Sequence, residues 1–213
     1  MKTFVFFLSF FMVFFFSVPI SAENQPTFII DAGHGGTDGG AVGLDGTLEK
    51  DLNLDLSLKL AELFYLADTD FILTRSFDDD TDGDPSSFSK RADILSRADL
   101  AAKYPSAVFV MIHMNCSTGK NDKGFQVFYG HKAAASETVA NNIHTAVESS
   151  CLANRMREVK KAPSSVYLTE HVENTAVLVE CGFISNEDDL RLLREPLYRQ
   201  KLALVLFSAL LEG

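Results

Sequence analysis

The chain has 213 residues, 46% of them hydrophobic, enough for one well-cored domain and too few for two. A formal net charge of -10 leaves no basic surface for nucleic acid or an anionic membrane, so no nucleic-acid partner is expected. Three cysteines, Cys116, Cys151 and Cys181, form no Cys-x-x-Cys pair and leave at least one thiol unpaired; stability must rest on the core.

Eight of the 18 phenylalanines fall between Phe4 and Phe16, in an apolar run from Thr3 to Ile20 preceded by Lys2. This is the pattern of an export signal. Ala22 before Glu23 offers a small residue for cleavage, and the run at 3–20 is also nearly long enough to stay as a membrane anchor. The sequence therefore divides into residues 1–22, a signal peptide or anchor, and residues 23–213, one folded domain placed outside the cytoplasmic membrane.

Phe28-Ile29-Ile30 has the character of a buried strand, and it breaks into Asp31-Ala32-Gly33-His34-Gly35-Gly36. The glycines clear space around an imidazole delivered where a strand ends, a place where α/β folds bind ligands. The glycine run lacks the Gly-Lys-Ser/Thr of a phosphate loop, and the next helix opens only after Gly46, too late for a dinucleotide fingerprint. Glu49 falls in the first turn of that helix, where a carboxylate also suits the dipole. Residues 52–60 alternate leucine with polar residues as a strand would, yet no β-branched residue lies between Thr47 and Thr69. Leu56, Leu60, Leu63 and Phe64 share one helical face, which predicts a helix.

Residues 71–74 form the next predicted strand. Asp78, Asp80, Asp82 and Gly83 match the opening of a calcium loop, but its twelfth position is Ser89 and Pro85 interrupts it, so a solvated acidic loop is the better reading. Ser86 or Ser87 is expected to cap a helix ending near Tyr104. Residues 107–112 are a third strand that delivers His113, with Asn115 on the same face. Two strands each handing over a histidine is a geometry that suits a zinc ion. Residues 124–129 read as a strand and 133–151 as a helix; His131 and His144 lack comparable settings. Residues 176–179 are a fourth apolar strand, terminated by Glu180, a carboxylate that is costly at a buried strand unless paired or used. Asn186 caps a further helix, and residues 197–211 form the last.

These residues resemble the zinc-dependent N-acetylmuramoyl-L-alanine amidases of the amidase type 3 class, which cut peptidoglycan between muramic acid and the stem peptide. The resemblance is carried from Phe28 to the C-terminus by the His34 glycine loop, Leu48-Glu49-Lys50-Asp51-Leu52-Asn53-Leu54, Leu73-Thr74-Arg75, Ile112-His113-Met114-Asn115 and Leu178-Val179-Glu180-Cys181-Gly182-Phe183-Ile184-Ser185-Asn186. Cys116 stands where the family usually has alanine, and Thr175 where proline is common. The resemblance implies a single α/β domain with a mixed, mostly parallel twisted sheet flanked by helices, and a zinc site at the C-terminal strand edge. It implies Zn2+ as cofactor, His34, Glu49 and His113 as its ligands, Glu180 as the catalytic carboxylate and Asn115 in the substrate-binding wall. It further implies peptidoglycan as partner, a cell wall-associated monomer, and a likeness to spore-cortex amidases. A zinc carboxypeptidase, an inert wall-binding module and a thiol hydrolase using Cys181 or Cys116 stand as alternatives.

Overall fold

The computed structural model describes residues 28–81, 88–119 and 121–212. The export run, Ser86 and Ser87, and Asp82 and Gly83 of the acidic loop lie outside them. In chain order the elements are β1 (Phe28–Ala32), α1 (Glu49–Leu66), β2 (Phe71–Leu73), α2 (Lys90–Lys103), β3 (Val108–Asn115), β4 (Gln126–Tyr129), α3 (Ala135–Ser150), β5 (Lys160–Lys161), α4 (Tyr167–His171), β6 (Ala176–Phe183), α5 (Glu187–Arg194) and α6 (Pro196–Leu211). The six strands form one sheet in the order β2-β1-β3-β6-β4-β5. All neighbours pair in parallel except β4 and β6, which are antiparallel.

Burial on both faces explains why β1, β3 and β6 are apolar almost throughout. Alternate side chains point to opposite layers. Phe28, Ile30, Val110, Ile112, Val177 and Val179 join the larger core with Leu56, Leu60 and Phe64 of α1 and Leu202 and Leu206 of α6. Phe64 stacks on Phe28 with centroids 4.6 Å apart. This burial decides α1: its leucines alternate in sequence, but the face at Leu56, Leu60 and Phe64 packs on the sheet as a helix. Ile29, Phe109, Met111, Ala176 and Leu178 turn to the smaller core with Ala101 of α2 and Leu168 of α4. By the same alternation Asp31, His113 and Glu180 share the α2/α4 face.

The mixed, mostly parallel sheet flanked by helices agrees with the sequence reading; the position expected for the zinc site does not. The cluster of His34, Glu49 and His113 does not sit at the C-terminal strand edge but near the N-terminal strands, on the turn after β1, the first residue of α1, and within β3. The reason is hydrogen bonding. β3 and β6 do not stop where their apolar runs stop; they pair onward, with His113 opposite Glu180, and Asn115 opposite Phe183 after a register shift. Glu180 therefore lies inside β6 instead of terminating it.

α2 starts on Ser89, whose hydroxyl accepts from Ala92 N. Asn186 caps α5 by accepting from Asp188 N and Asp189 N, as its sequence position predicts. Among the described residues no helix is long and apolar enough to cross a membrane.

Candidate metal centre

His34 sits in a left-handed backbone conformation, φ 60°, on a turn closed by reciprocal Gly35 and Asp38 backbone bonds of 2.9 and 2.8 Å. Such a conformation costs a non-glycine residue on the order of 1–3 kcal/mol and persists only where the surroundings enforce it. Two buried arginines supply the enforcement. Arg75 donates through Nε to Ala32 O at 2.9 Å and through Nη2 to Gly33 O at 3.1 Å and Lys50 O at 2.9 Å. Arg97 donates to Ala32 O and His34 O, both at 2.9 Å, and pairs with Asp31 and Asp93. Every carbonyl from Ala32 to His34 thus has an arginine donor, which fixes the loop where the imidazole leaves it.

Asp38 orients the ring. Its Oδ2 lies 2.8 Å from His34 Nδ1 and 3.2 Å from Lys90 Nζ, while Oδ1 accepts from Gly40 N at 3.1 Å. A carboxylate on Nδ1 selects the tautomer with its proton there and leaves the Nε2 lone pair free for a metal, the usual second contact of a metal-binding histidine. Nε2 faces Glu49 Oε2 at 3.2 Å. On the other side His113 Nδ1 lies 2.9 Å from Glu49 Oε1. The two imidazoles meet edge to face, centroids 5.0 Å apart. They approach so closely because a Cβ at Gly33 would land inside the His113 ring, and one at Gly40 would come within 2.7 Å of both His34 and Glu49.

Glu49 is 4% exposed and fully engaged, accepting from Ala41 N at 2.9 Å, Met114 N at 3.2 Å and Asn53 Nδ2 at 3.3 Å. Burial alone would raise its pKa, but hydrogen bonds and charge from His113 and His34 outweigh this and hold the carboxyl well below the usual range. Burial likewise disfavours a charged His34, and Glu49 and Asp38 outweigh it, raising the imidazole. One donor atom from each of His34, Glu49 and His113 lies within 4.8 Å of the others. Tetrahedral zinc with bonds of about 2.0–2.2 Å would separate its ligands by about 3.4 Å, so two imidazoles and one carboxylate fit that ion.

Glu180 stands beside this cluster on β6. Burial, with the Glu49 charge adding and the histidines opposing, pushes its carboxyl up to about 7, and its Oε2 is buried with no hydrogen-bond partner. A pocket of about 320 Å3 joins Glu180, His34 and His113 to the apolar Met111, Leu178 and Ile94. Asn115 lies two residues beyond His113, half-buried, and its carbonyl accepts from Ile184 N at 2.8 Å. Cys181 turns to the opposite core, 2% exposed, and burial raises its thiol well above the ordinary value, which removes it as a nucleophile. Cys116 and Cys151 are exposed. His131 is held elsewhere, by Ala162 O at 2.7 Å and Glu170 at 3.0 Å. Asp78 and Asp80 serve the glycine loop instead of a calcium ion: they accept from Gly36 N at 2.9 Å and Thr37 N at 3.0 Å.

A His/Glu/His cluster beside an unpartnered carboxylate titrating near neutrality is the equipment of a metal-dependent hydrolase. Comparison with known proteins says which. Residues 28–212 match the Amidase_3 family of N-acetylmuramoyl-L-alanine amidases, and the chain belongs to that family. It is 32% identical over 200 residues to the germination-specific N-acetylmuramoyl-L-alanine amidase of Bacillus subtilis, covering 92% of this chain and 81% of that one. Among solved structures it resembles the CwlD amidase from Clostridioides difficile in complex with the GerS lipoprotein, at TM-score 0.79 and 32% identity over 87% of this chain and 96% of that one. It also resembles the catalytic domain of CwlV, an N-acetylmuramoyl-L-alanine amidase from Bacillus (Paenibacillus) polymyxa var. colistinus, at TM-score 0.75 and 26% identity over 88% and 97% of the two chains. The protein is a zinc-type peptidoglycan amidase of the cell wall, acting outside the cytoplasm on the bond between N-acetylmuramic acid and L-alanine. The carboxypeptidase and inert-module alternatives fall with that assignment.

Proposed function

We propose that His34 through Nε2, His113 through Nδ1 and Glu49 hold the zinc ion, and that Glu180 is the proton-transferring carboxylate. The observation that carries this is the convergence of three donor atoms beside a buried, unpartnered Glu180 Oε2. When bound, zinc supplies Lewis-acid charge for the scissile carbonyl and lowers the pKa of water to about 7. Glu180 Oε2 takes a proton from the attacking water and returns it to the amine of the departing L-alanine, the role of a group titrating near the working pH. The apolar wall of Met111, Leu178 and Ile94 excludes water from the exchange. Asn115 offers its amide to substrate from beyond His113.

We also place the chain with the amidases of the germination type, supported by the 32% identity to the germination-specific amidase of Bacillus subtilis. Residues 1–22 act as export signal or anchor ahead of a catalytic domain at 23–213, a reading supported by the apolar run from Thr3 to Ile20. The acidic balance supports a protein without nucleic-acid partners, and we take it as a monomer. Metal analysis tests the ligand set: wild-type protein should bind one zinc, and His113→Ala should lose it. Full activity in metal-free protein, or unchanged zinc affinity in His113→Ala, would overturn the assignment.

A further inference from the structure

The cleft beside Glu180 is lined by Lys90 as well as by the metal cluster, and it borders a second hollow that carries a further cation. Beyond His113 and Glu180 its lining includes Met111, Leu178, Lys90 and Tyr167. The second hollow, of about 400 Å3, is formed by Lys90, Arg91, Ile94, Leu95 and Tyr167. Each is in the size range of ligand clefts, which begins near about 300 Å3.

Lys90 and Arg91 occupy the first two positions of α2, where the helix dipole disfavours cations. They do so in a chain whose net charge is -10. Lys90 is 62% exposed and reaches 3.2 Å from Asp38, whose oxygen is already shared with His34 Nδ1, so most of its ammonium stays open to the cleft. Arg91 is exposed, with no hydrogen-bond or ion-pair partner among the described residues.

The chemistry of the scissile bond says which half of the substrate those cations suit. The lactyl carboxyl of muramic acid is consumed in the amide, so the free carboxylates near the bond belong to the peptide. We propose that the Lys90/Arg91 hollow is a subsite for the free carboxylates of the stem peptide, whose first alanine lies against the apolar walls at Ile94, Met111 and Leu178. Two exposed cations then select substrates by peptide charge. This rests on the reading that hydrolysis occurs at the metal cluster beside Glu180.

Calorimetric titration of zinc-loaded Glu180→Gln protein with L-alanyl-D-glutamate and with its bis-amide tests the subsite without catalysis. The dicarboxylate should bind about three- to tenfold more tightly, a preference that weakens with added salt. In the double variant Lys90→Gln with Arg91→Gln the preference should shrink below about twofold. No binding of either ligand, equal affinities, or a preference unchanged in the double variant would overturn the proposal. Failure of the Glu180 role would register separately, as undiminished hydrolysis of muramyl peptide by the Glu180→Gln protein.

Discussion

Replacing Arg97 by methionine removes a guanidinium that is 3% exposed and pairs with Asp31, itself 1% exposed, and with Asp93. The variant leaves the buried Asp31 carboxylate without its paired guanidinium and takes a donor from the carbonyls of Ala32 and His34. Deleting one member of a buried pair costs about 3–5 kcal/mol, so urea denaturation at neutral pH should show a loss of that size. Adding Asp31→Leu should recover about 2 kcal/mol, because the stranded charge is then gone. The sign of the pH dependence follows from Asp93. Burial alone would raise its carboxyl, but the Arg97 charge and hydrogen bonds from Thr81 and Arg97 outweigh this and hold it below its ordinary value. A depressed carboxylate contributes stability that is complete above the ordinary carboxylate range and lost as pH falls through the lowered value. The deficit of Arg97→Met should thus be constant near neutrality and narrow on acidification. A loss below about 1 kcal/mol, or a deficit that widens as pH falls, would refute the assignment of Arg97 as the brace of the His34 loop.

Asp38→Ala frees His34 Nδ1 from its carboxylate, and zinc affinity measured by chelator competition should drop roughly 10–100-fold while the fold persists; unchanged affinity would show that the ring needs no orienting partner. Gly33→Ala drives a methyl into the His113 ring, so it should lose zinc binding while keeping its helical circular dichroism, and a variant with native zinc affinity would contradict the close approach. Alkylation should label Cys116 and Cys151, leave Cys181 untouched in the native state and spare activity; inactivation that tracks labelling would restore the thiol alternative.

The three residues of the cluster and the neighbouring Glu180 stood out in the sequence because each breaks a local pattern. His34 interrupts a glycine run, Glu49 opens a helix, and His113 and Glu180 follow apolar runs. Those runs gave the wrong edge for the site, because strand ends are set by hydrogen bonding and not by hydrophobicity: β3 continues past Ile112 to Asn115, and β6 past Val179 to Phe183. α4 and β5, five and two residues long, are too short for any periodicity to register. Asp31 and Arg97 could be seen only singly, a charge in an apolar strand and an Asp93–Arg97 spacing of four. Their partnership spans 66 positions and depends on α2 packing against the sheet, which no local pattern encodes.

The most direct test is the hydrolysis of peptidoglycan by Glu180→Gln, followed as new L-alanine amino termini, with zinc content measured on the same sample. The substitution keeps shape and removes the proton acceptor. One zinc per chain should remain while the rate falls by roughly two to four orders of magnitude. Wild-type activity per folded, zinc-loaded molecule would make Glu180 a structural carboxylate and contradict its place in the chemistry.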